Sequence, residues 1–294
     1  MGKVLEIKNI TKYFGNFKAL DDLSLSLNEA EILGYLGPNG SGKTTTIKII
    51  LDLIRATSGT IEIFRKSSKN TNLTHQYIGY VPSEPTFWPN LSVKETLHFL
   101  ASLHQNYDLS YQNELIKSFD LDLNKKVREL SRGNRQKIAI ISALSTRAKL
   151  LILDEPSTGL DPLMENIFRD QIIKAKNNGQ SIFFSSHILE EVDALCDHVA
   201  ILKKGKLIEY GSLEKLKHLR ASKIEASFSS DNELPKFNNI SGITNLRYDK
   251  NKLSLNITQN ENLVLEQILK HKPIRVYCSP TSLEDVFLSY YQKD

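Results

Sequence analysis

A glycine-rich segment at residues 37–44 has the residue types and spacing of a phosphate-binding loop. Its residues are Gly37, Pro38, Asn39, Gly40, Ser41, Gly42, Lys43 and Thr44. They match the pattern GxxxxGK[ST], with an apolar run before it and a helical pattern at 45–53 after it, as this motif requires. Curled backbone N–H groups at a helix N-terminus favour a triphosphate. In that arrangement Lys43 reaches the β- and γ-phosphates and the Thr44 hydroxyl binds Mg²⁺.

Two acidic residues follow a second apolar run and form a candidate metal and water site. Residues 150–153 are apolar, and Asp154 and Glu155 come directly after them. In a phosphate-loop fold the first carboxylate holds the metal through water, and the second polarises the attacking water. The same pattern is also typical of a core strand that ends in a polar loop. The phosphate loop earlier in the chain favours the functional interpretation.

The elements that must position these groups alternate between strand and helix patterns as far as residue 220, which is typical of an α/β protein. Residues 150–153 and 181–185 are predicted to be buried parallel strands, with a helix at 162–176 between them. Alternating leucines at 23, 25 and 27 predict a strand of a small antiparallel subsheet. Residues 76–144 are predicted to be mainly helical after a loop that contains Pro82, Pro85 and Pro89, with an interruption by a turn at 131–134.

Two domains are expected. The first covers residues 1–220 and includes a helical subdomain at about 86–145, and the second is a small α+β domain at 221–294. The second domain follows a basic helix predicted at 213–219. It combines alternating segments with helices predicted at 261–270 and 282–291.

Composition excludes several classes of protein. The 294 residues carry a net charge of +4, with basic and acidic side chains interleaved, which does not predict nucleic-acid binding. No apolar stretch approaches the ~20 residues that cross a bilayer, and the first residues lack the apolar region of a signal peptide. Cys196 and Cys278 are far apart and predict neither a disulfide nor a zinc site. These features favour a cytoplasmic protein that depends on other chains for any membrane function.

Three further segments complete a longer pattern. Ser131 and Gly133 lie in residues 130–137, Asp161 ends the segment 157–161, and His187 follows a buried strand. Taken alone, the first segment is also an ordinary helix cap, and a lone histidine is more often structural. In this order and spacing, the segments resemble the ATP-binding subunit of an ABC transporter over residues 4–220.

The resemblance implies a P-loop ATPase of the ABC type, with a mixed sheet core, an antiparallel subsheet and a helical subdomain. ATP and Mg²⁺ are the implied cofactors. Phe14 matches the aromatic residue that stacks on adenine, with Tyr13 as the alternative. Asp154 matches the metal-site acid, and Glu155 matches the general base. His187 matches the residue that contacts the γ-phosphate, so the implied catalytic residues are Lys43, Glu155 and His187.

Other residues match the family's nucleotide contacts. Thr45 continues the phosphate loop, and Asp161 matches the segment that crosses between two protomers. Ser131, Gly133 and Asn134 match the signature segment, by which one protomer covers the ATP held by the other.

The sequence departs from the family pattern at two places. The signature commonly reads Leu-Ser-Gly-Gly-Gln, and here Arg132 and Asn134 stand for its first glycine and its glutamine. Ser83 stands where the family usually has a glutamine that contacts Mg²⁺. Because serine is too short to span that distance, either a water or Glu84 substitutes, or this metal contact is weak.

The implied function is to power a membrane transporter. Two copies, or one copy and a homologous subunit, bind ATP between them and pull on a polytopic membrane permease at the cytoplasmic face of the cell membrane. Residues 87–99 are the candidate surface for that permease. The tail at 280–288 resembles exporter ATPases of the drug and antibiotic-resistance kind, although an amphipathic terminal helix explains it equally well.

Two alternatives remain at this point. One is a soluble ABC ATPase that acts on a ribosome or nucleic acid, against which the single phosphate loop and the lack of a coiled-coil insertion argue. The other is a regulatory module that binds ATP with little turnover, which Ser83 favours.

Overall fold

The computed structural model describes residues 2–104, 106–218, 222–230, 234–237, 240–257 and 259–280. Contacts divide the chain into two compact units between Tyr210 and Gly211. The sequence places this boundary later, after residue 220, and that assignment stays a prediction. In the described residues no helix has the length and apolar character to span a bilayer. The helix predicted at 282–291 lies outside the described residues.

Strands and helices succeed one another along both units. The strands are β1 Lys3–Phe14, β2 Phe17–Asn28, β3 Ile32–Leu36, β4 Ser58–Ile63, β5 Lys66–Ser67, β6 Ile78–Val81, β7 Leu150–Asp154, β8 Ser181–Ser186, β9 His198–Lys203, β10 Lys206–Ser212, β11 Ser222–Ser227, β12 Ile243–Asp249, β13 Lys252–Ile257 and β14 Arg275–Pro280. The helices are α1 Lys43–Ile50, α2 Thr71–Thr74, α3 Val93–Ser102, α4 Leu109–Ser118, α5 Arg132–Ser145, α6 Pro162–Asn177, α7 Leu189–Leu195, α8 Leu213–His218 and α9 Glu261–Lys270.

A six-stranded sheet with the order β10-β9-β3-β8-β7-β6 forms the centre of the first unit. Strands β3, β7 and β8 are parallel neighbours and are buried along their whole length. This burial explains their continuous apolar sequences, because both faces of a parallel sheet are covered. The carboxyl ends of these strands lie at one edge of the sheet, which is where such folds bind ligands.

A second sheet of the first unit has the order β2-β1-β4-β5, and its β1–β2, β1–β4 and β4–β5 pairs are antiparallel. Leu23, Leu25 and Leu27 are buried and pack into the core of the unit, whereas Ser24 is exposed. The antiparallel subsheet predicted from these leucines is confirmed.

Two sequence predictions in the helical region are wrong. Ile78–Val81 is strand β6, paired in parallel with β7, inside the stretch predicted to be mainly helical. Four residues are too few to show a period, so pairing with β7 decides their structure. Residues 132–134, predicted as part of a turn, form the first turn of α5, because the Ser131 hydroxyl accepts the N–H of Asn134 and caps the helix.

Helix α7 lies very close to strand β3 at Gly34. A side-chain carbon on Gly34 would lie 2.6 Å from Val192 Cγ1 and 2.9 Å from Cys196 Sγ. Both of these neighbours are buried. The absence of a side chain at Gly34 therefore sets the position of α7 and of the loop before it, which carries His187.

The second unit contains an antiparallel sheet with the order β12-β13-β11-β14. Val264 and Ile268 of α9 pack on its apolar face, against Ile224 of β11 and Leu255 of β13. Alternating apolar residues in β11 and β13 thus form one side of a separate small core.

Replacement of Gly34 by alanine should destabilise the first unit. The added methyl group must displace Val192 or Cys196 from a packed site, which costs about 1–3 kcal/mol. Urea unfolding followed by the fluorescence of Trp88, the single tryptophan, measures the loss. The double variant Gly34→Ala/Val192→Ala should lose less than the sum of the two single losses. An unchanged midpoint in Gly34→Ala would show that α7 does not depend on this contact.

Candidate functional site

The phosphate-loop candidate connects β3 to α1 at the carboxyl edge of the sheet. The loop turns where the Ser41 N–H donates to the Pro38 carbonyl over 3.1 Å. Gly40 and Gly42 have φ angles of 80° and 111°, in the left-handed region that favours glycine. The Ser41 hydroxyl is buried and has no hydrogen-bond partner among the described residues, so it is available to a ligand held by the loop.

Lys43 folds back over the inner side of this loop. Its ammonium donates to the Gly37 carbonyl over 2.6 Å and to the Pro38 carbonyl over 3.3 Å. It also lies 3.2 Å from Glu155 Oε1, and only 5% of the Lys43 side chain is exposed. The loop therefore holds a buried cation at the place where the sequence predicts phosphate.

Asp154 lies at the end of β7 and is fully buried. Thr44 Oγ1 donates to one carboxylate oxygen over 3.0 Å, and Ser185 Oγ donates to the other over 2.7 Å. Burial raises the pKa of Asp154, although these two hydrogen bonds act in the opposite direction. A divalent cation beside Thr44 and Asp154 would stabilise the carboxylate.

The donor set at this place fits Mg²⁺. No group of three His, Cys, Asp or Glu side chains in the described residues could hold a metal ion. Mg²⁺ characteristically takes one or two protein oxygen ligands and completes its shell with water and substrate phosphates. Thr44 and Asp154 supply such ligands, directly or through water, next to the phosphate loop.

Glu155 connects the loop to His187. Its Oε2 lies 3.2 Å from His187 Nδ1, and its other carboxylate oxygen faces Lys43. Glu155 has a φ of 47°, and its N–H donates to both the carbonyl and the hydroxyl oxygens of Ser185, each over 3.1 Å. Strand β8 thus fixes the turn that presents Glu155, and the three predicted catalytic side chains are brought together.

The hairpin between β1 and β2 presents aromatic rings near the loop. Phe14 pairs across the hairpin with Phe17, and both rings are exposed. Tyr13, the alternative adenine contact, is also exposed and lies under Lys18. A side-chain carbon on Gly42 would lie 3.1 Å from the carbonyl of Ala19, two residues after Phe17. This contact joins the aromatic end of the hairpin to the phosphate loop.

The signature candidate lies against the segment that ends at Asp161. A side-chain carbon on Gly133 would overlap the carbonyl oxygen of Gly159. Asp161 accepts the N–H of Met164 over 3.1 Å and caps α6. Ser131, Gly133 and Asn134 make no hydrogen bond or ion pair with the phosphate loop in the part of the chain that the structure describes.

Ser83 is tied to the signature candidate by its backbone. Its carbonyl accepts from Arg132 over 3.4 Å, and the carbonyl of the preceding Pro82 accepts from Gln136 over 3.3 Å. The Ser83 hydroxyl makes no hydrogen bond with Asp154 among the described residues. The weak metal contact of Ser83 stays a prediction.

These features together identify the kind of protein. A phosphate loop follows one strand of a mixed sheet, and an acidic pair ends a strand two positions along in the same sheet. This arrangement is that of a P-loop ATPase. The signature glycine, packed against Gly159, and His187 point to the ABC branch of that class.

Comparison with known proteins agrees. The sequence model of the ABC transporter family matches residues 20–158. The ABC transporter ATP-binding protein YhaQ of Bacillus subtilis is 37% identical over 294 residues, which cover 97% of each chain. The bacitracin transport ATP-binding protein BcrA of Bacillus licheniformis is 37% identical over 237 residues, covering 79% of this chain and 78% of BcrA.

A solved structure of the ATP-binding subunit of an ABC transporter superposes with a TM-score of 0.68 at 28% identity. It covers 73% of this chain and 92% of its own. The chain therefore belongs to the family of ABC transporter ATP-binding subunits. It is an ATPase that binds ATP with Mg²⁺ and powers a membrane transporter. Neither alternative function receives better support from these relatives.

Two residues of the site escape sequence reasoning. Ser185 holds both Asp154 and the backbone of Glu155, and Phe17 adds an exposed ring opposite Phe14. Ser185 can be identified from its position at the end of β8, because the parallel register places it beside Asp154. That identification requires knowing that β7 and β8 are neighbours in the sheet.

Ser185→Ala should lower kcat for ATP hydrolysis about 10-fold, because it releases both Asp154 and the turn at Glu155. A steady-state ATPase assay measures kcat. The matched control is Ser181→Ala, a buried serine of the same strand that accepts the N–H of Ala30 far from the site. Both variants should lose about 1 kcal/mol of stability, but Ser181→Ala should keep its kcat. Equal kcat values in the two variants would show that Ser185 does not position the site.

Proposed function

We propose that Lys43, Glu155 and His187 form the catalytic group for ATP hydrolysis, with Glu155 as general base and His187 as a γ-phosphate contact. One observation carries the proposal: a single carboxylate lies 3.2 Å from both the Lys43 ammonium and the His187 ring. A base must lie within reach of the proton that it accepts and of the groups that orient it.

The contacts of Lys43 suggest how this group becomes active. Carbonyls of the loop and Glu155 hold its ammonium in the free chain. Phosphate oxygens are stronger acceptors than carbonyls, so a bound triphosphate draws Lys43 away from Glu155. The Glu155 carboxylate is then free to accept a proton from water, and His187 keeps it oriented.

Binding is assigned to the surrounding residues. Residues 37–44 and Thr45 hold the phosphates, and Phe14 stacks on the base. Thr44 and Asp154 hold Mg²⁺, which supplies neutralising charge at the phosphates when it is bound. The exposed ring of Phe14 and the buried, unpartnered hydroxyl of Ser41 support this assignment.

A second ATPase subunit completes the site. Ser131 caps a 14-residue helix, and Gly133 and Asn134 lie in its first turn, where the helix N-terminus favours an anion. Within the described part of the chain, these residues make no hydrogen bond or ion pair with the phosphate loop, which supports a role toward the ATP of a partner. Asp161, whose segment touches Gly133 through Gly159, would lie at the same interface.

The membrane partner is a polytopic permease, which holds the subunit at the cytoplasmic face of the membrane. BcrA is named for bacitracin transport, and its similarity supports export for this chain. The cassette is assigned to residues 1–220, with its helical subdomain at about 86–145, and residues 221–294 are assigned to an accessory domain. The compact unit that ends at Tyr210 supports a division in this region.

Two neighbouring hollows in the first unit form the proposed permease surface. One is apolar, has a volume of about 280 Å³ and is lined by Trp88, Leu91 and Phe99. The other has a volume of about 400 Å³, and its lining includes Arg128 and two further arginines. Both share Pro89. A permease segment with an apolar residue beside a carboxylate would match them, and the Ser83 segment next to them would transmit the state of the site.

Glu155→Gln should lower kcat by about 10² to 10⁴ if Glu155 is the base. Because glutamine keeps the shape of the site but cannot accept the proton, ATP should hold the subunits together as a dimer. An ATPase assay and size-exclusion chromatography with ATP measure both effects. Glu114→Gln, in an exposed residue of α4 that faces Lys174, is the control and should resemble the wild type. Full activity in Glu155→Gln contradicts the assignment.

Trp88→Ala and Arg128→Glu should each weaken capture of the permease by tagged ATPase from detergent-solubilised membranes, by about 10-fold or more if these residues are central to the interface. The ATPase activity of the isolated subunit should not change. Lys117→Glu, which makes a similar charge reversal on α4, should leave capture unchanged. A permease captured equally by all three variants would exclude these hollows as the docking surface.

A further inference from the structure

A buried acid, Glu191, lies four residues after His187 and has no role in the proposed catalytic group. Glu191 is in the first turn of α7 and is 8% exposed. Helix α7 is held by close packing of Val192 on Gly34 of β3. The carboxylate therefore lies at a fixed place next to the edge of the sheet where the site forms.

The Glu191 carboxylate is hydrogen-bonded by the hydroxyl of Ser186. Ser186 Oγ donates to Glu191 Oε2 over 2.8 Å, and Ser157 is a second polar neighbour of the same carboxylate. Burial raises the pKa of Glu191, and the two hydroxyls act against that rise. Ser157 is itself 3% exposed, so water competes little for these contacts.

These two serines belong to the two loops of the catalytic group. Ser186 directly precedes His187, and Ser157 lies two residues after Glu155. The Ser186 hydroxyl also accepts the N–H of Ile188 over 2.9 Å, so it braces both sides of His187. The carboxylate is thus hydrogen-bonded to the loop that carries the histidine, and it lies near the loop that carries the base.

We propose that Glu191 is a positioning residue, which holds Ser186 and so maintains the contact between Glu155 and His187. This inference rests on the proposed roles of those two residues. The 3.2 Å separation of Glu155 Oε2 from His187 Nδ1 depends on where the Ser186 loop places the histidine ring. Misplacement of a catalytic group by about 1 Å can cost on the order of 10²-fold in rate.

Glu191→Ala should lower kcat about 10-fold or more and leave KM for MgATP within about twofold of the wild type. Lys43, Thr44 and Asp154 do not contact Glu191, so binding of the nucleotide should persist. Glu191→Gln keeps a side-chain carbonyl that accepts from a serine hydroxyl, and it should restore kcat to within about threefold. Glu190→Ala, in the exposed neighbour on the same helix, should match the wild type.

A mutational cycle separates positioning from general stability. Ser186→Ala should lower kcat in the wild type and lower it less in Glu191→Ala, where only the contact of Ser186 with Ile188 remains to be lost. Ser186→Ala also provides the test if Glu191→Ala does not fold, and wild-type kcat in Ser186→Ala overturns the proposal. A rise in KM equal to the fall in kcat, or no rescue by glutamine, also overturns it.

Glu155→Gln, measured in the same assay, separates this inference from the proposed function. If Glu155→Gln is inactive and Glu191→Ala has normal kcat, only the positioning role is wrong. If Glu155→Gln is active, the proposed function itself is wrong.

Discussion

A carboxylate that is buried at the end of a central strand is the constraint on which the site depends. Asp154 has no exposed surface, and burial raises its pKa. An isolated buried charge is costly, so the neighbourhood must supply donors. Thr44 and Ser185 do so from two different elements. Because those donors must converge on Asp154, the start of α1 and the end of β8 are fixed relative to β7.

The charges around Asp154 form a balanced cluster that a ligand can rearrange. Lys43 is nearly buried, and its charge is matched by Glu155 rather than by solvent. Removing one partner of a buried ion pair commonly costs about 3–5 kcal/mol, because the other charge remains. A phosphate that pairs with Lys43 would replace Glu155 as its partner. The buried ammonium would then stay paired while the Glu155 carboxylate is released. One ion pair thus contributes both to the stability of the site and to its proposed response to nucleotide.

Two glycines allow neighbouring elements to pack closely around the site. Gly34 lets α7 approach β3, and Gly133 lets the start of α5 rest on the carbonyl of Gly159. Glu191 of α7 accepts a hydrogen bond from Ser186, the residue before His187. Contacts of this kind transmit displacement between elements, because protein interiors are closely packed.

The features of this protein that depend on neighbouring residues can be predicted from its sequence. The phosphate loop, the acidic pair after β7 and the alternation of Leu23, Leu25 and Leu27 depend on neighbouring residues and on short periods, so spacing reveals them. The ABC class follows from the order of such segments. The strand at Ile78–Val81 follows from tertiary pairing, because four residues show no period and their partner β7 comes from far along the chain. Ser185 also needs the fold to be found, because Asp154 lies 31 residues earlier and is brought beside it by parallel pairing. Glu191 needs it too, because its contact with Ser186 depends on how α7 packs after the end of β8.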